Sequence, residues 1–198
     1  MPTLSPARPR VFNLPNQLTA ARLVLAIVLF VLIDLGLWVW CVVVFALAAF
    51  TDWLDGYLAR KHGLSSTLGR VFDPLVDKVL VCGAYIFLLP IEGSGLTPWM
   101  VTVVVGRELI ITGLRSFLEN QGVVFGADWL GKLKMGLQCA ALFGVFVALF
   151  VLATGWPDGV KGFIGQARDG LVYAMVVATA LSGLQYLVRA ALLMRTES

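Results

Sequence analysis

Long apolar runs, broken by short polar or glycine-rich segments, fill most of this chain. A helix needs roughly 17–25 residues to cross a bilayer. Runs of that order fall near 18–35, 38–60, 68–90, 97–118, 131–154 and 170–194. Backbone groups in lipid must be satisfied within their own segment, so each run is predicted to be a helix. The break at Leu35-Gly36-Leu37 is so short that the first two runs read as a tight hairpin. Turn signals also stand at Gly93-Ser94-Gly95, before Thr97-Pro98, and from Gly155 through Pro157 to Gly159. Residues 1–17 are proline-rich and carry Arg8 and Arg10. Their last few positions read as a short helix lying in the membrane interface.

Composition strengthens this picture. The chain has 198 residues, of which 59% are hydrophobic and 14% charged. A soluble domain of this length cannot hide so much apolar surface. The predicted class is an all-α integral membrane protein, with residues 1–198 as one domain of six transmembrane helices. Cys41, Cys82 and Cys139 lie in apolar runs without a pairing motif and read as small buried residues. The N-terminus lacks a basic-then-apolar-then-cleavage pattern, so no cleaved signal peptide is expected.

The net charge of +3 is modest and speaks for topology rather than nucleic-acid binding. Arg8, Arg10, Arg60, Lys61, Arg70, Lys132, Lys134 and Arg195 fall on one side of the predicted membrane. Lys161 and Arg168 fall on the other. The positive-inside rule then puts both termini in the cytoplasm. Trp38, Trp40, Trp99 and Trp156 fall near the outer interface and read as an aromatic belt. Apart from Asp34 at the outer turn, the ionisable groups within the runs gather at one cytoplasmic depth. Snorkelling side chains would decorate both interfaces, so this asymmetry points to a polar cavity open to the cytoplasm.

The densest chemistry lies between residues 52 and 77. Asp52, Asp55, Asp73 and Asp77 stand in apolar sequence, with Gly56, Ala59, Arg60 and Gly69 between them. An Asp at membrane depth costs about 2.5–3.5 kcal/mol on insertion scales. On a helix, Asp52 and Asp55 lie about 60° apart, and Asp73 and Asp77 about 40°. A short connection makes the two helices neighbours, so four carboxylates can face one site. Hard oxygen ligands in that number suit two divalent ions, Mg²⁺ or Mn²⁺. Gly56, Ala59 and Gly69 keep the face open to a ligand, and Arg60 is placed to pair with a phosphate. The alternative is an ion or proton pathway built on the same acids. That reading calls for polar groups in both halves of the membrane, and the outer half is nearly free of them.

These residues spell D-x2-D-G-x2-A-R-x8-G-x3-D-x3-D, and the chain resembles the CDP-alcohol phosphatidyltransferase family in every specified position. The likeness runs over nearly the whole chain. It includes Asn13 to Arg22, Phe72 to Lys78, Gly106 to Arg115, and Gly131 to Lys134 with Gln138. It is greatest to the branch whose acceptor is glycerol 3-phosphate. Met135 and Ser116 depart from that branch, where Thr and an acid are usual.

The resemblance implies a six-helix enzyme of the bacterial inner membrane, with its active site facing the cytoplasm. It implies transfer of a phosphatidyl group from CDP-diacylglycerol to glycerol 3-phosphate, with release of CMP. Asp52, Asp55, Asp73 and Asp77 would bind two divalent ions, with Asp77 as general base. Gly56, Ala59, Arg60, Gly69, Asn16 and Thr19 would border the CDP donor. Arg107, Arg115, Lys132 and Lys134 would hold the acceptor phosphate. Lipid surrounds the protein, nucleic acid is not a partner, and a homodimer is expected. Inositol phosphate, serine or phosphatidylglycerol remain alternative acceptors, although a basic pocket disfavours serine.

Overall fold

The computed structural model describes residues 14–62, 67–120 and 129–196. These form six helices, with no strand among the described residues: α1 (Leu14–Asp34), α2 (Trp38–His62), α3 (Thr67–Leu88), α4 (Pro98–Asn120), α5 (Trp129–Ala153) and α6 (Asp158–Thr196). Each expected run became one helix. α5, and α6 from Asp158 to Leu192, are long and apolar enough to cross a membrane by length and composition.

Local signals explain most helix ends. α1 stops at a glycine in the left-handed region, Gly36, with φ 66°. Leu37 N donates to Leu32 O at 3.0 Å and Gly36 N to Ile33 O at 3.1 Å. This nested pair satisfies two orphan carbonyls and turns the chain straight into α2. Two expectations shift. The interfacial helix expected at the end of residues 1–17 is instead, from Leu14 on, the first turn of α1. The last helix was expected from residue 170 but begins at Asp158, where Val160 N and Lys161 N both donate to Pro157 O. Proline ahead of an acidic first turn is a helix start. The polar residues Lys161, Gln166, Arg168 and Asp169 lengthen α6 beyond its apolar part.

α1 packs on α2 and α3, α5 on α6, α2 and α3, and α4 on α6 and α3. The buried faces follow helical spacing. Ala26, Leu29 and Ile33 of α1 meet Phe45 of α2, Tyr85 and Leu88 of α3, and Leu142 and Phe146 of α5 in one core. Tyr85 is fully buried and donates its hydroxyl to Gln138 O at 3.0 Å, tying α3 to α5. Gly83 lets the stacked rings of Phe30 and Phe87 lie against α3, since a Cβ there would sit 2.2 Å from Phe30 Cζ.

The opposite faces are apolar as well. Val24, Ile27, Val28 and Val31 of α1 are exposed, as are Tyr173, Val177, Leu181, Leu184 and Val188 of α6. Continuous apolar stripes of this kind suit hydrocarbon rather than water. Trp40, Trp99 and Trp156, expected in the aromatic belt, are exposed near the helix ends, whereas Trp38, expected with them, is half-buried against the core. At the same end, Arg168 of α6 donates to Gly93 O in the α3–α4 connection and pairs with Asp169 at 2.9 Å. Cys41 and Cys82 are buried, as expected, whereas Cys139 is only half-buried.

The Tyr85 bond is testable. Tyr85→Phe keeps the ring and leaves Gln138 O without its side-chain donor, so it should cost about 1 kcal/mol. Thermal unfolding of the purified protein in detergent should show a lower midpoint. An unchanged midpoint would mean that the bond does not hold α3 to α5.

Candidate functional site

A cavity of about 290 Å³ opens between α3, α4, α5 and α6. Its walls include Lys78 of α3, Arg107, Glu108, Thr112 and Arg115 of α4, and Lys132 and Met135 of α5. Ser182 and Tyr186 of α6 complete it. Four cations thus surround a small space that holds one carboxylate. The size suits a small polar molecule, below the usual range for drug-sized ligands of about 300–1,000 Å³.

Three of the four residues expected to bind the acceptor phosphate come together here. Arg107 and Arg115 stand eight residues apart on α4, about 12 Å along the axis, and both side chains reach the one cavity. Lys132 joins them from α5. Lys134 is not among the lining residues. Residues two apart on a helix face nearly opposite ways, so Lys132 is exposed while Lys134 is 5% exposed.

Lys134 instead donates to Glu108 Oε1. The same oxygen accepts from Arg107 Nη1 at 3.2 Å and, at 3.5 Å, from Gln138 Nε2. Glu108 is 6% exposed and Gln138 3%. Arg107 Nη2 donates to Ser182 Oγ at 2.9 Å, which fixes the other side of its fork. Gly183 makes room for this: a Cβ there would stand 3.0 Å from Arg107 Cγ. Arg107 Nε has no hydrogen-bond partner among the described residues. Nearby, Lys78 donates to Thr112 Oγ1, whose own hydroxyl donates to Glu108 O at 2.5 Å.

Several of these groups carried no role in the sequence reading. Lys78 directly follows Asp77 and is a charge at the expected depth, which is a signal that could have found it. Glu108 was read only as a ready partner for the cations; the structure makes it their meeting point. Ser182 and Tyr186 lie in an apolar stretch with nothing to mark them. Met135, one of the two departures, lines the cavity, whereas Ser116 does not.

The carboxylate cluster is positioned by backbone alone. Asp52 and Asp55 lie in α2, Asp73 and Asp77 in α3, and residues 63–66 between these helices are outside the described part. The side chains of these four acids lie outside it too, as do those of Asn16, Thr19, Ala59 and Arg60 and the surroundings of Gly56 and Gly69. The backbone is helical at 52–55 and at 73–77. The donor set of four carboxylates fits hard divalent cations. Arg22, fully buried, continues the inward face of α1 that Ala26, Leu29 and Ile33 form.

Comparison with known proteins bears on the family. The family model described as CDP-alcohol phosphatidyltransferase matches residues 12–181. The chain belongs to the CDP-alcohol phosphatidyltransferase family. A relative from Bacillus subtilis, named CDP-diacylglycerol–glycerol-3-phosphate 3-phosphatidyltransferase, is 40% identical over 192 residues, covering 88% of this chain and 93% of the relative. A relative of the same name from Pectobacterium atrosepticum is 34% identical, covering 89% and 93%. A Mycobacterium tuberculosis relative, named as a probable phosphatidylglycerophosphate synthase, is 35% identical, covering 92% and 84%.

A cavity walled by cations should take up a small phosphate-bearing anion. Inorganic phosphate at about 100 times its Kd would raise stability by about 2.7 kcal/mol. Thermal unfolding with added phosphate, against chloride at equal ionic strength, should show the rise. Arg107→Gln and Arg115→Gln should each reduce it. Equal protection in both variants would place the anion elsewhere.

Proposed function

We propose that the protein transfers the phosphatidyl group of CDP-diacylglycerol to sn-glycerol 3-phosphate, giving phosphatidylglycerophosphate and CMP. The observation that carries this reading is the juxtaposition along α3. Lys78 lines the cationic cavity, and Asp77, the last acid of the signature, is its immediate neighbour in the helix. Consecutive Cα atoms stand about 3.8 Å apart. In this reading the acid cluster adjoins the acceptor cavity. The names of the full-length relatives support the same donor and acceptor.

In this reading Arg107, Arg115 and Lys132 hold the acceptor's phosphate, and Lys78 adds a fourth cation. Tethering that end orients the far hydroxyl toward Asp77. Asp77 accepts the hydroxyl proton as the oxygen bonds to the phosphatidyl phosphorus. The bond from that phosphorus to the CMP oxygen breaks, and CMP leaves with the electron pair. A carboxylate is a weak base near neutral pH, but the hydroxyl grows acidic as the new bond forms.

Asp52, Asp55, Asp73 and Asp77 would hold two divalent ions, Mg²⁺ or Mn²⁺. When bound, the ions neutralise the pyrophosphate and polarise the phosphorus. Gly56, Ala59, Arg60 and Gly69 border the CMP moiety, with Asn16 and Thr19 contributing from α1. All six helices span the bacterial inner membrane. Both termini face the cytoplasm, with the donor's acyl tails in lipid and a second copy of the chain completing a homodimer.

The purified protein should release CMP from CDP-diacylglycerol with Mg²⁺ and glycerol 3-phosphate, and not with serine or inositol. Chelation by EDTA should stop release, and added Mg²⁺ or Mn²⁺ should restore it. Asp77→Ala, folded by its unfolding profile, should be slower by about 10²–10⁴-fold. CMP release with a different acceptor would overturn the acceptor assignment and keep the metal site. No release with any acceptor from folded protein would favour ion conduction through the acid cluster.

A further inference from the structure

One carboxylate inside the cavity wall is surrounded by more cations than it needs. Glu108 Oε1 accepts from Lys134, Arg107 and Gln138. Lys134 has turned away from the cavity to make this contact. Arg107 faces the cavity and is held on its second side by Ser182.

Two cations on one carboxylate are not equivalent here. A buried carboxylate paired with Arg107 alone would draw in the guanidinium and cancel its charge. With Lys134 present, the carboxylate's charge is already met, and its oxygen still accepts from Arg107. The guanidinium is thereby fixed in place while its positive charge stays available to an anion in the cavity.

We propose that Glu108 is a positioning residue for the acceptor pocket, and that Lys134 neutralises Glu108 so that Arg107 meets the acceptor's phosphate with its charge unspent. Glu108 and Lys134 thus act through Arg107 and do not touch substrate. This deepens the phosphatidyl-transfer reading and rests on it for the acceptor's identity. The arrangement also keeps cost low: a buried ion is expensive when alone, and removing both partners of a buried pair is often nearly neutral.

The test is a four-way comparison of purified proteins in detergent, following CMP release while glycerol 3-phosphate and CDP-diacylglycerol are varied in turn. Lys134→Met leaves Glu108 to Arg107, and should raise KM for glycerol 3-phosphate by about 10–100-fold, the range typical of residues that orient a ligand-binding group. Its KM for CDP-diacylglycerol should move less than about twofold, because the donor does not meet Arg107. The pair variant E108Q/K134M keeps an oxygen for Arg107 without a charge to cancel it. It should return the acceptor KM to within about threefold of the original protein. E108L/K134M removes that oxygen, and should not recover.

Should Lys134→Met fail to fold, Ser182→Ala tests the same fork from α6, and should raise the acceptor KM alone. Two results would overturn the proposal. One is E108Q/K134M as impaired toward glycerol 3-phosphate as Lys134→Met, which would make Lys134 a direct phosphate ligand. The other is equal change in both KM values throughout, which would make the pair merely structural. If the original protein uses another phosphorylated acceptor, the transfer reading loses its acceptor. The same comparison in that acceptor's KM still decides the role of Glu108.

Discussion

A single buried carboxylate organises the polar half of this bundle. Glu108 sits within an apolar helix, where an unpaired charge costs several kcal/mol even after relaxation. Its charge is met only if α5 presents Lys134 and Gln138 at the right height and α4 turns Arg107 back along itself. Arg107 in turn needs Ser182 and the bare backbone of Gly183 on α6. Satisfying one charge therefore sets the mutual register of α4, α5 and α6. The cavity is the space left over when that register is met.

The apolar half of the bundle has a different logic. Lipid is as apolar as the side chains that face it, so burial alone gives helices little reason to choose each other. Close approach and directional contacts carry more of the specificity. Gly83 lets the Phe30–Phe87 stack lie against α3, and the Tyr85 hydroxyl reaches the backbone of α5. Gly36 folds α1 sharply onto α2. Together these place α3 beside both α1 and α5, and so bring Lys78 into the wall of the cavity.

Much of this was legible in the chain. The six helices lie within a few residues of the apolar runs, except that α6 starts at Asp158. There the polar residues after Pro157 hid a helix start, because an amphipathic extension does not raise hydropathy. The signature acids marked the family. What misled was treating Lys132 and Lys134 as equivalent. Their charges are identical in a sequence, but a helix turns them to opposite faces. The one toward the core found a carboxylate and the other found the cavity.

The sequence by itself determined the number of helices, their approximate ends, the spacing of the acids and the family, because all of these rest on periodicity, hydropathy and short-range spacing. Only the tertiary structure decided which cations share a cavity and which are spent on Glu108. It also brought in Ser182 and Tyr186, from an α6 segment without polar pattern. Those outcomes depend on the rotation of each helix about its axis and on its height against its neighbours. Both are set by contacts between residues far apart in the chain, such as Arg107 with Ser182 and Glu108 with Lys134.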